Sequence, residues 1–191
     1  MEKRKQNTER LVLGAIFTAI VVVLQLLGSF IRFGPFSISL VLVPIVIGAA
    51  LCGYKIGAWL GFVFGMAVLL SGDAAAFLGI SVIGTVLTVL LKGALCGLVA
   101  GFIYKLLQKK NRYLAVMATA FICPVVNTGV FLLGCLVFFL PTITEWGVAA
   151  GFQNAAAYMF LGLAGGNFIF EFVTNMILSP VILRVLSIGK K

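Results

Sequence analysis

Residues 82–112 read VIGTVLTVLLKGALCGLVAGFIYKLLQKKNR, an apolar run from Val82 to Tyr104 that carries one lysine, Lys92, and stops at Lys105, Lys109, Lys110 and Arg112. Such a run is long enough to cross a hydrocarbon core roughly 30 Å thick as a helix, and bases clustered at its end mark the cytoplasmic side. Working outward, further runs extend over Leu11 to Ile31, Phe36 to Gly53, Ile56 to Leu70, Tyr113 to Leu140 and Tyr158 to Leu186. All but the run from Ile56 reach about 17 residues, the lower limit for a spanning helix.

The bases alternate between the gaps. Lys3, Arg4, Lys5 and Arg10 precede the first run, Lys55 follows the second, the cluster above follows the fourth, and Arg184, Lys190 and Lys191 end the sixth. The other gaps hold Arg32, Asp73 and Glu145. By the positive-inside rule the chain is an all-α membrane protein with six transmembrane helices, and its N- and C-termini are cytoplasmic. One membrane domain accounts for residues 1–191, residues 1–10 being a basic cytoplasmic N-terminus. The apolar run that follows exceeds the roughly 7 to 15 residues of a signal-peptide core and is read as a retained span.

Hydrophobic residues make up 62% of the chain and the mean hydropathy is +1.21, both above the range of an ordinary soluble domain. The net charge of +9 sits beside membrane spans without a basic helix or an aromatic RNA-binding motif, so nucleic acid is not expected as a partner. Cys52, Cys96, Cys123 and Cys135 lie in apolar runs with no C-x-x-C spacing, so they read as small hydrophobes rather than metal ligands. The chain has no histidine and only five carboxylates, which removes H-E-x-x-H metalloenzymes and His-assisted nucleophiles; no metal or cofactor is expected, and no enzyme.

Polar groups inside the spans are then the functional candidates, because a central charge costs on the order of 2.5–3.5 kcal/mol on insertion scales. Lys92 in the fourth span and Glu171 in the sixth both lie about ten residues from the outer face, or roughly 15 Å deep at 1.5 Å per residue. Opposite charges at matching depth invite pairing or a shared ligand. Asn167, Glu171 and Asn175 recur at i, i+4 spacing as one polar stripe, and Asn127 reaches about the depth of Asn167 near Pro124. The simpler role for all of these is to bind helices together by interhelical hydrogen bonds. Gly57, Gly61 and Gly65, and Gly93, Gly97 and Gly101, form two ridges suited to close backbone packing, and Ala15 and Ala19 make an A-x-x-x-A face in the first span. The outer connections carry Arg32, Phe36, Asp73, Phe77 and Trp146, which could cover an outward-opening cavity or anchor at the interface.

These features together resemble a known family. The basic N-terminus, A-x-x-x-A in the first span, FGPFSISLVLVPIVIGAALCGYKIGAWLG, KGALCGLVAG and NFIFEFVTNMILSP are similar to the substrate-binding S component of energy-coupling factor (ECF) vitamin transporters, over nearly the whole chain. The resemblance implies a high-affinity receptor in the bacterial plasma membrane, with its ligand in an outward-facing cavity of spans four to six closed by the outer loops. It also implies docking of Ala15 and Ala19 on a transmembrane T component that joins two cytoplasmic ATPases; the chain itself has no G-x-x-x-x-G-K-[ST] loop. Carried onto this chain, the ligand role falls to Lys92, Asn127, Asn167, Glu171 and Asn175, with Arg32, Phe36, Asp73, Phe77 and Trp146 as lid or wall. A lone intramembrane lysine suits pantothenate best, with folate or riboflavin next. The chain lacks both the acidic stretch before span two associated with riboflavin receptors and the dense aromatics associated with thiamine. Two other readings are a proton-coupled secondary transporter with Glu171 as the proton carrier, and a small oligomeric channel.

Overall fold

The computed structural model describes residues 2–30, 32–33, 36–37 and 40–188. Helix α1 (Glu2–Phe30) leads into a two-stranded antiparallel hairpin, β1 (Arg32–Phe33) and β2 (Phe36–Ser37), with Arg32 opposite Ser37 and Phe33 opposite Phe36. Then come α2 (Leu42–Cys52), α3 (Tyr54–Ser71), the single turn α4 (Ala75–Leu78), α5 (Val82–Leu107) and α6 (Arg112–Phe138). The chain ends with α7 (Leu140–Ala149), the short α8 (Ala155–Ala157), a π-helical segment Tyr158–Gly165 and α9 (Gly166–Ile188).

Among the described residues five helical stretches are long and apolar enough to cross a membrane: Thr8–Phe30, Tyr54–Ser71, Val82–Leu107, Arg112–Phe138 and Ala155–Val185. This corrects the expected lengths. The run from Ile56, read as the short one, is an 18-residue helix, whereas the run from Phe36 yields only the 11-residue α2. Pro44 accounts for the difference. In the first turn of α2 it needs no hydrogen-bonded N–H, but its ring would clash with the carbonyl of Leu40 if the helix extended upstream. Eight of the eleven residues of α2 are buried, so this short helix is packed inside the bundle.

The two glycine ridges meet. A Cβ on Gly61 would overlap the Gly93 carbonyl oxygen, one on Gly93 would overlap that of Gly61, and Gly57 and Gly97 oppose each other in the same way. Helices α3 and α5 therefore run antiparallel with their backbones in contact, an approach that a side chain at any of these positions would prevent. Gly101 faces the Tyr54 backbone, and Lys105 Nζ lies 5.3 Å from the Tyr54 ring centroid at the same end. Helix α1 runs parallel to α3: a Cβ on Gly14 would touch Ile56, Trp59 Nε1 donates to Thr18 Oγ1 at 3.2 Å, and Gln25 Nε2 donates to Asp73 Oδ2 at 2.7 Å. The segment between α1 and α3, with α2 in it, thus brings the chain back along the bundle. The two turns next to α3 use glycine at positive φ, Gly53 at 97° and Gly72 at 83°.

Helix starts follow the capping residues. Ser81 Oγ accepts from Gly84 N–H at α5, Asn111 Oδ1 from Tyr113 and Leu114 N–H at α6, and Asn154 Oδ1 from Ala157 N–H at α8. The four cysteines are free and buried, as small hydrophobes would be. Two buried apolar clusters form. The larger holds Ile45, Leu60, Phe64, Val89 and Tyr104 among others, and the smaller holds Leu132, Cys135, Phe139, Ile143, Met159 and Ala164.

Candidate functional site

Between the two clusters lies a cavity of about 160 Å³. Helix α5 contributes Thr85, Thr88, Val89 and Lys92, spaced three and four apart so that they share one helix face. Helix α6 contributes Asn127, Thr128 and Phe131, with Phe139 at its end. Leu163 and Ala164 of the π-helical segment and Asn167 and Glu171 of α9 form the third wall. Phe64 and Val68 of α3, Asp73, Ala74 and Phe77 of the α3–α5 connection, and Gln25 of α1 complete the lining.

The π-helical segment precedes Asn167 directly. Its glycines permit the geometry: a Cβ on Gly165 would sit 2.6 Å from the Phe160 carbonyl oxygen and one on Gly162 2.5 Å from the Tyr158 ring. Such segments recur at functional sites because they re-aim the side chains that follow them.

Glu171 is 1% exposed and held from two helices. Asn127 Nδ2 donates to Oε2 at 3.1 Å and Asn167 Nδ2 donates to Oε1 at 3.2 Å, so each carboxylate oxygen has one amide donor. Across the cavity, Lys92 Nζ makes no ion pair with Glu171. It lies 5.4 Å from the Phe131 ring centroid and 5.7 Å from that of Phe64, so its charge rests against two aromatic faces. Two further polar atoms are buried without any hydrogen-bond partner, Thr88 Oγ1 and Asn127 Oδ1, on residues 4% and 2% exposed. A buried polar atom left unpaired costs free energy comparable to a lost hydrogen bond, and that cost is relieved when a ligand supplies the partner.

Above these groups, Asp73 Oδ2 accepts from Gln25 Nε2 at 2.7 Å and from Ser71 Oγ at 3.2 Å, which ties the α3–α5 connection to α1. Phe77 then makes edge contacts with Phe131 at 5.7 Å, Phe139 at 5.1 Å and Trp146 of α7 at 5.7 Å between ring centroids.

Of the residues singled out from sequence, Lys92, Asn127, Asn167, Glu171, Asp73 and Phe77 meet on this one cavity. Trp146 stands behind Phe77 and does not line it. Asn175 does not line it either; its Nδ2 donates to the backbone carbonyl of Glu171 at 2.8 Å, so the stripe on α9 divides after its second member. The side chains of Arg32 and Phe36 lie outside the described residues. Ala15 and Ala19 are exposed on α1. Sequence reasoning missed Gln25, Thr85, Thr88, Thr128 and the phenylalanines at 64, 131 and 139. The spacing of Thr85 and Thr88 before Lys92, and of Phe131 four residues after Asn127, is the signal that was available. With four phenylalanines the lining is also more aromatic than the sequence suggested.

No curated protein and no solved structure matches the chain. Residues 9–186, most of its length, match the family described as "ECF transporter, substrate-specific component". That match agrees with a multi-pass helical protein whose buried polar groups converge on a ligand-sized cavity, and the chain belongs to the family of substrate-specific components of ECF transporters.

Proposed function

We propose that the cavity between α5, α6 and α9 is the substrate site of a receptor that captures a B-type vitamin or related micronutrient at the outer face of the bacterial plasma membrane. The receptor is a single domain of six crossings with both termini cytoplasmic. It delivers its cargo for ATP-driven uptake through a T component and two ATPases, docking by the Ala15 and Ala19 face. The parallel course of α1 and α3 supports six crossings, because the chain must return between them and only α2 and its flanks are there to do so. Lys55 then falls at the same end as Lys105, as the positive-inside rule requires.

The observation that carries the ligand assignment is the pair of intramembrane charges, Lys92 and Glu171, facing one cavity without a direct ion pair between them. Intramembrane charges usually pair when their task is structural; left apart on a cavity, they mark a ligand path. A volume of about 160 Å³ favours the smaller of the candidate cargoes. Pantothenate is the first candidate on size and on its carboxylate, ahead of folate and riboflavin. The test is mass spectrometry of small molecules released from the protein purified in mild detergent from cells grown in vitamin-rich medium. A stoichiometric vitamin is the expected result. A protein that emerges empty, and stays empty when incubated with these three vitamins, overturns all three as its cargo.

A further inference from the structure

The cavity sorts its hydrogen-bonding chemistry by wall. On α5 stand the Lys92 ammonium, a donor only, and the Thr88 hydroxyl, which can donate or accept and has no partner in the fold. On the α6 and α9 side the amide nitrogens of Asn127 and Asn167 each give one N–H to the Glu171 carboxylate. What that side leaves without a partner is an acceptor, Asn127 Oδ1, an atom buried on a residue 2% exposed, beside the remaining lone pairs of Glu171. A bare anion enclosed there would face Lys92 favourably and the acceptor wall unfavourably, because a buried acceptor that meets another acceptor stays unsatisfied. A cargo without an acid would leave the ammonium uncompensated in the same way.

We infer that the cargo is two-ended: it carries a carboxylate, seated at Lys92 and Thr88, and a hydrogen-bond donor edge, N–H or O–H, turned toward Asn127 Oδ1 and Glu171. Its apolar body lies against Phe131 and Phe64, whose rings flank Lys92. This inference rests on the cavity being the substrate site and specifies what that site selects. Acids without a second hydrogen-bond donor and donors without an acid are both rejected, each leaving a buried group unpaired; rejection on such grounds is stronger than on apolar size alone.

The experiment is the thermal unfolding of the intact wild-type protein in mild detergent with each of seven probes at saturating concentration. Pantothenate, biotin and folate carry both groups; riboflavin and thiamine carry donors without a carboxylate; lipoate and nicotinate carry a carboxylate without a second donor. Stabilisation confined to the first set is expected. Stabilisation by any of the other four overturns the two-ended assignment while the cavity reading stands. Stabilisation by none overturns the cavity reading itself, and this inference with it. The stabilising probe and its methyl ester are then compared on wild type and Lys92→Met. The ester is expected to bind wild type about tenfold or more weakly than the acid, and the two to bind Lys92→Met alike. The same ratio in both proteins places the carboxylate away from Lys92 and overturns the assignment without reference to how stable the variant is.

Discussion

Asn127 of α6 and Glu171 of α9, 44 residues apart in sequence, are joined by a 3.1 Å hydrogen bond from Nδ2 to Oε2. The bond holds the Glu171 carboxylate in place through the amide nitrogen of Asn127 and leaves the amide oxygen without a partner at the cavity. Asn127→Leu removes the donor from a buried carboxylate and is expected to destabilise the protein by about 1–3 kcal/mol, the cost of an unsatisfied buried group. Unfolding of the ligand-free variant in detergent measures it, and a stability equal to wild type would show that the bond contributes nothing.

The contact between Gly61 and Gly93 leaves no room for a side chain on either helix. Gly61→Val is expected to force α3 and α5 apart, at a cost of about 1–3 kcal/mol or more, because the obstructing atoms are backbone and cannot rotate away. Gly129→Ala is the matched control. Nothing lies within 4 Å of a Cβ at Gly129, and alanine is the better helix former by up to about 1 kcal/mol. Comparing the yields of folded monomer and the unfolding temperatures of the two variants separates a packing effect from a general intolerance of glycine replacement.

Ala15 and Ala19 are exposed on one face of α1, away from the cavity. Ala19→Trp, or Ala15→Trp, is expected to abolish uptake in cells while leaving ligand affinity of the isolated protein within about twofold, a difference below 0.5 kcal/mol. The bulk would block close helix packing with a T component but touches nothing that lines the cavity. Equal loss of uptake and of binding would remove the docking role.

Gln25 is 3% exposed and donates at 2.7 Å to Asp73, so α1 and the α3–α5 connection are pinned together beside the cavity. Gln25→Leu is expected to cost about 1.5–3 kcal/mol, the range for a hydrogen bond to a charged group, and to speed ligand release because Phe77 follows Asp73 on the same connection. Stopped-flow release of bound ligand reads the second effect. A release rate unchanged in a destabilised variant would confine the bond to a structural role.

Much of the site was legible because insertion energetics make polar residues in apolar runs conspicuous: Lys92, Asn127, Asn167 and Glu171 stand out in a sequence 62% hydrophobic. Equal depth along straight helices then places them together without knowledge of the fold. Phe64, Phe131 and Phe139 were not legible, since a phenylalanine in a span is as well suited to lipid or core as to a ligand wall. Thr85 and Thr88 were hidden for a similar reason, as a span threonine ordinarily bonds to its own helix, and Thr85 does so through Ser81 O at 2.7 Å.

What the sequence by itself determined is the partition of the chain: where apolar runs begin and end, which gaps carry the bases, and which polar groups lie within the runs. These are one-dimensional properties, set by the transfer of each residue between water and hydrocarbon. Rotation and register were decided only in three dimensions. Asn175 shares the i, i+4 stripe of Asn167 and Glu171 yet donates to the backbone carbonyl of Glu171, and Lys92 rests against two phenylalanine rings without an ion pair to the carboxylate at its depth. Helix packing decides these outcomes. Backbone contact at Gly57, Gly61, Gly93 and Gly97 fixes how α5 is turned, and the π-helical segment before Asn167 sets the aim of α9.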